Sequence, residues 1–302
     1  MRSPRPSSRP ADRLAAVAVV GALLLVACGG PAPEVAAPTG FAAPDRVIAG
    51  PQGNDGQFVV ECEFDRFRAD DPIVHPGDAG ASHLHQFFGA VDVRSDSTDD
   101  ELRSGATTCD QLADTASYWA PTLVDATGRP LEPESAVAYY RAGPGADPLT
   151  VVPYPPGFMT VAGDHSATDP QPTSVVAFGC GSGVAREAEP VACGAANPTM
   201  TITFQDCWDG VHARSPLVPE PDQHVSYSRS GRCPDSHPVP IPQLQLVVRY
   251  PPMPDVDPAD LALTSGDIHS GHADFWNTWD QEKLRNEVSR CIHRDLVCGV
   301  SG

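Results

Sequence analysis

The chain of 302 residues carries 20 Lys and Arg against 39 Asp and Glu, a formal net charge of −19 at pH 7. That acidity excludes recognition of nucleic acid, or of an anionic membrane surface, through charge. Nine cysteines point to an oxidising compartment, and 33 prolines disfavour long helices.

Arg2, Arg5, Arg9 and Arg13 form a basic head, and an apolar run follows from Leu14 to Val26. The run falls short of the roughly 20 residues that span a bilayer but suits the apolar region of a signal peptide. It ends Leu25-Val26-Ala27-Cys28-Gly29, which resembles a bacterial lipobox. We therefore expect a signal peptide over residues 1–27 and a lipidated Cys28 as the mature N-terminus. The protein would then be exported and held on the outer face of the cytoplasmic membrane by its lipid alone. An ordinary secretory peptide with a coincidental cysteine is the alternative. Residues 28–50 are rich in Pro, Ala and Gly without periodicity and read as a flexible tether. Residues 51–302 are long enough for one globular domain.

Within that domain, β-branched and aromatic runs recur at Gln57–Cys62, His83–Val93, Ser117–Val124, Ala136–Tyr140, Thr173–Cys180, Thr199–Phe204 and Gln243–Tyr250. Turn-forming residues separate them, which predicts a mainly β, antiparallel sandwich-like domain. Near the C-terminus, Thr278 followed by Gln281 reads as a capping box. Leu284, Val288, Cys291 and Ile292 then share one helical face, predicting a helix over Trp279–Ile292. Eight cysteines lie beyond Cys28. Their even count in an exported chain predicts disulfides. Pairing by proximity gives Cys180–Cys193, Cys207–Cys233 and Cys291–Cys298, which leaves Cys62–Cys109, although sequence alone does not fix the connectivity.

Candidate chemistry rests on histidine and aspartate. His83 and His85 are two apart in a strand-like run, so both rings would point to one face. The segment Ser265–Asp274 brings Asp267, His269, His272 and Asp274 into a Gly-broken stretch, read as a loop able to wrap an ion. Imidazoles suit zinc, copper or iron, and carboxylates admit calcium or manganese. The competing reading is a turn whose polar side chains bond the local backbone.

Several spaced motifs resemble a known family. They begin with Arg68-x-x-Asp71-Pro72-Ile73-Val74-x-Pro76-Gly77 and Ser82-His83-x-His85-x-Phe87-x-Gly89. Gly163-Asp164, Cys207-Trp208-Asp209-Gly210 and His224-Val225-x-Tyr227 follow. The series continues through Cys233-Pro234-x-x-His237-Pro238, Ser265-Gly266-Asp267 and His272-x-Asp274-Phe275. Together, over about Val60 to Cys291, they resemble the secreted domain-of-unknown-function family nineteen ninety-six of fungi and actinobacteria. Asn277-Thr278-Trp279 departs from the family's usual Asn-Gly-Trp. The resemblance implies a secreted, often biomass-associated domain without a settled activity. It also gives weight to His83, His85, Asp209, His224, His237, His272 and Asp274, which fall in its motifs.

Trp208, Trp276 and Trp279 flank the same motifs and could stack on sugar rings. Three functions fit these features. The leading one is an extracellular enzyme acting on cell-wall or environmental polysaccharide, as a lyase or hydrolase. It would use His83, His85, Asp209, His272 and Asp274, with a divalent ion (zinc, copper or calcium) held by His83, His85, His272, Asp274 and Asp267. The others are a non-catalytic glycan-binding module and a surface metal-binding lipoprotein.

Overall fold

Apolar residues at every second position form strands because successive side chains face opposite sides of a sheet. The computed structural model describes residues 48–49, 56–181, 186–215 and 223–299. The expected signal segment, Cys28 and the tether up to residue 47 lie outside the described residues. Among those described, no helix is long and apolar enough to cross a membrane.

Nine strands organise the domain: β1 (Gln57–Arg68), β2 (His85–Gly89), β3 (Ser117–Pro121), β4 (Ser135–Arg141), β5 (Met159–Gly163), β6 (Val176–Cys180), β7 (Pro198–Thr203), β8 (Gln243–Arg249) and β9 (His272–Trp276). They follow the order β5-β9-β3-β2-β1-β4-β8-β7-β6, with antiparallel neighbours throughout. Leu296–Cys298 adds in parallel to the start of β1, and Ile48–Ala49 pairs with it in turn.

The long strand β1 serves both halves of this sheet. Gln57–Glu63 pairs with β4, and Phe64–Arg68 pairs with β2 across a register shift between Phe64 and Arg66. A shift of this kind bends a strand. The two halves share a core in which Phe88, Tyr118 and Phe275 meet Tyr140, Ile202 and Leu244. The edge strand β5 is tied to the end of β7 in the other half where the Gln205 side-chain amide donates to the Val161 carbonyl at 3.1 Å. The result is the expected sandwich, made from one folded sheet.

Segment 272–276 is a fully buried strand, not the ion-wrapping loop expected from its flanking glycines. Ala273 and Phe275 enter the shared core, so His272, Asp274 and Trp276 face the outer side. That side is covered as well. Phe87, Val93, Leu102, Trp119, Met159 and Trp276 form a second apolar cluster. Leu102 comes from a short helix, α1 (Asp99–Ser104), whose capping box joins Thr98 and Glu101.

The C-terminal helix, α2, is shorter than expected. It runs over Gln281–Glu287 and continues as a π-helical turn, Val288–Ile292. Asp280 caps it by accepting from the Lys283 N–H at 2.8 Å. Thr278 is not the cap, because its hydroxyl donates to the Thr115 carbonyl instead. Leu284, Val288, Cys291 and Ile292 are buried, as their spacing predicts. The four disulfides follow the proximity pairing: Cys62–Cys109, Cys180–Cys193, Cys207–Cys233 and Cys291–Cys298.

Asp114 lies inside the core with no exposure. It accepts from the Ala116 N–H at 2.9 Å and the Tyr118 hydroxyl at 2.6 Å. Burial outweighs those bonds and pushes its pKa up from 3.8 to about 8. The folded state therefore keeps a proton that the unfolded chain loses near pH 4. Stability should fall as pH rises from about 4 to 8, then level off for this group. Asp114→Asn should flatten part of that decline, as read by urea denaturation at several pH values. An unchanged slope would refute the assignment.

Candidate metal centre

Two strands, the residues just ahead of one of them, and one loop bring the site together. His85 opens β2 and His272 opens β9, both facing the outer side. His83 precedes β2, outside the strand proper, yet its ring stays beside that of His85. Ring centroids lie 4.2 Å apart for His83 and His85, 5.0 Å for His83 and His272, and 5.9 Å for His85 and His272. Asp274 follows two residues after His272 on the same face. The loop after β1 supplies Asp71, whose carboxylate accepts from the Ile73 and Val74 N–H groups at 2.9 Å each.

One donor atom from each of His83, His85 and His272 lies within 4.8 Å of the other two, and the same holds for Asp71, His85 and Asp274. His85 is common to both sets. The spacing is close to the span of two zinc–nitrogen bonds of about 2.0–2.1 Å.

Hydrogen bonding fixes which atoms face inward. His85 Nδ1 lies 3.0 Å from the Asp70 carbonyl, and His272 Nδ1 lies 2.8 Å from the Ser270 carbonyl. A carbonyl only accepts, so each Nδ1 carries the proton and each Nε2 keeps its lone pair. Backbone anchoring of this kind orients metal-ligating imidazoles. His83 Nε2, His85 Nε2 and both Asp274 oxygens are buried without a hydrogen-bond partner.

Burial lowers the pKa of His83 and of His272 to about 4 and holds His85 well below its ordinary range. All three are neutral near pH 7, the state in which imidazole binds a cation. Burial, then the neighbouring Asp71, drives Asp274 well above the carboxylate range, and burial also raises Asp71. The cluster thus combines lone-pair donors with two carboxyl groups that a cation would stabilise.

The supporting shell reaches further out. Asp70 accepts from the Gly80 N–H at 2.8 Å and the Ser95 N–H at 3.2 Å, while its own carbonyl holds His85. Arg68 lies 3.6 Å from Asp70 and 3.0 Å from Asp92. One aspartate therefore ties the covering loop to the ligand strand.

Other expected site residues lie elsewhere. Asp209 is saturated by its own turn, accepting from the Val211 and His212 N–H groups and lying 2.6 Å from His212 Nδ1. Asp267 caps a short 3-10 turn and pairs at 2.7 Å with His269 Nδ1. Both carboxylates thus have local partners and take no part in the cluster. His237 bonds the Gln223 carbonyl, and His224 bonds the Ser215 hydroxyl.

Trp279 is wholly buried, with its indole N–H on the Tyr140 hydroxyl, so it offers no face to a sugar. Trp208 is half-buried and donates to the His212 carbonyl at 2.7 Å. Trp276 is 3% exposed and donates to Asp99 at 2.6 Å. Its remaining edge borders a cavity of about 380 Å³ lined also by Pro72, Ser95, Thr98, Asp99 and Arg214. Asp71 was not singled out as a candidate, although it stands in the first motif noted above; its Asp-Pro dipeptide reads as a turn signal. Cysteine offers no alternative ligands near Asp114 or Glu287, because those sulfurs are in disulfides.

A family described as "Domain of unknown function (DUF1996)" matches residues 71–279, more than half of the chain. Neither the curated proteins nor the solved structures contain a match.

Asp70→Ala should strand two amides and loosen the loop over the cluster. The loss of the partner of the buried Ser95 amide costs about 1–3 kcal/mol, whereas the exposed Gly80 amide can turn to water. Chemical denaturation of the variant should show a loss of that order. Wild-type stability would contradict the role assigned to Asp70.

Proposed function

This chain belongs to the family described as Domain of unknown function (DUF1996), which assigns no chemistry, and we propose that it is a divalent-metal protein built around His83, His85 and His272 with Asp274 and Asp71. One observation carries this reading. Buried donor atoms converge without partners, while the second nitrogens of His85 and His272 are anchored on backbone carbonyls. Burying such groups unpaired is costly, and a cation removes the cost. Three neutral imidazoles favour zinc or copper. Calcium fits poorly, because it takes six to eight oxygen ligands. In this reading the domain works outside the cell, anchored by lipidated Cys28, where its disulfides persist.

The second part of the proposal is catalysis on polysaccharide, as a metal-assisted hydrolase or lyase. The cavity at Trp276 supports it, since Trp276 lies two residues from Asp274 on one strand face and Pro72 adjoins Asp71. A substrate seated there and reaching along the strand face towards Asp274 would meet the ion, which supplies Lewis-acid polarisation when bound. Asp71 and Asp274 would hold or move a proton next to it, and Asp99 and Arg214 would orient polar groups of the substrate. A purely glycan-binding role has less support, because Trp276 and Trp279 are almost wholly covered.

Metal analysis of the purified chain should find about one equivalent of zinc or copper. Chelation should lower the melting temperature. An ion at one hundred times its Kd stabilises by about 2.7 kcal/mol. His83→Ala should lose the ion without destabilising the chelated protein, and His272→Ala should lose it with some loss of stability, because His272 is buried. In a screen of neutral and uronate-containing glycans, chelation should abolish any chain cleavage. Trace metal only, together with indifference to chelator, would refute the metal reading. A metal-loaded chain inert on every glycan would refute the catalytic one.

A further inference from the structure

We infer that His165 is a fourth imidazole of this centre, closing over the ion from the solvent side; the inference rests on the metal reading above. His165 follows β5 by two residues. The end of that strand, Gly163, is the register partner of His272. The ring centroid of His165 lies 6.1 Å from that of His272. The corresponding separations for His83 and His85 are 5.0 and 5.9 Å, so His165 stands at nearly the same remove.

Its setting differs from theirs in one respect. His85 and His272 are buried, whereas His165 is exposed, and among the described residues its ring makes no hydrogen bond. The inner donors are fixed from below by the sheet and the Asp70 loop. Half-buried His83 and exposed His165 lie on the side facing solvent.

The backbone carrying His165 is nonetheless held in place. Gly163 has φ +88°, and a Cβ there would lie 2.4 Å from the Gly271 carbonyl oxygen and 2.8 Å from His272 Cα. Only glycine lets the two chains approach so closely. Beyond it, the Asp164 N–H donates to the Gln171 side-chain oxygen at 2.9 Å. The Gln171 amide donates in turn to the His269 carbonyl at 2.8 Å and the Gly271 carbonyl at 2.7 Å. The Asp164 carboxylate accepts from the Ser166 N–H at 2.8 Å and its hydroxyl at 2.7 Å. The loop is thus stapled to the start of the His272 strand, while the His165 side chain stays free to turn. The buried imidazoles make the permanent part of the shell. His165 is the ligand that leaves when an incoming oxygen takes its place.

The test uses the full chain in detergent, loaded with one equivalent of copper(II), and counts coordinated nitrogens from electron paramagnetic resonance. Wild type should show four and His165→Ala three, with copper still bound one to one and affinity lowered at least about tenfold. Free imidazole added to His165→Ala should restore the fourth nitrogen. His165 is exposed, so the variant should melt as wild type does after chelation. If copper binds wild type, is lost in His272→Ala and is unaltered in spectrum and affinity by His165→Ala, this inference falls and the metal reading stands. If wild type binds no copper, both fall.

Discussion

A carboxyl group buried without any hydrogen-bond partner is among the costliest features a small domain can carry, and Asp274 is such a group at the centre of a strand. Desolvation penalises its charged form, and no donor lies in reach to satisfy its neutral form. Beside it stand two imidazoles, His83 and His85, whose Nε2 atoms are equally unpartnered. The surroundings that keep these atoms dry also hold them in register. A sequence selected for stability alone would place an apolar side chain at Asp274, because Phe87 and Trp119 already line the same outer face. In the proposed metal reading, this cluster is where the fold accepts a local loss for a ligand.

The architecture explains how such a loss is tolerated. The sandwich core on one side of β9, around Phe275, is continuous with the main core. The apolar cluster around Phe87, Trp119 and Trp276 secures the other side, and four disulfides restrict the unfolded chain. Disulfides, packed aromatic rings and the Asp70 latch set the geometry before any ion arrives. A preorganised set of donors would need little rearrangement to take up the proposed ion.

Much of the fold was legible in the sequence. Seven β-rich runs correspond to strands because β-branched and aromatic side chains suit a pleated, largely buried surface. Three cysteine pairs follow proximity because each closes a short excursion of 7 to 26 residues, and Cys62–Cys109, 47 residues apart, is the pair that remains. Segment 272–276 was misread because the flanking glycines look like loop punctuation. Gly271 instead allows close approach to Val176, from which a Cβ would be 2.7 Å. The helix cap shifted from Thr278 to Asp280 because the Thr278 hydroxyl had a tertiary partner that no local pattern reveals. At the site, His83, His85, His272 and Asp274 were nominated from sequence and lie together. Asp209 and Asp267 were nominated for the same reason and do not, because short-range N–H groups and neighbouring histidines engage them first. A carboxylate two or three residues ahead of free amides tends to cap its own turn. Asp274, inside a strand, has no such amides to cap.

The central claim is that the converging imidazoles of His83, His85 and His272 share one cation. X-ray absorption on the zinc-loaded chain tests it most directly, because the absorbing ion reports its own neighbours. The account predicts at least three imidazole nitrogens at about 2.0–2.1 Å and loss of that scattering signature in His85→Ala. A shell of oxygen atoms alone, or one unchanged by His85→Ala, would contradict it.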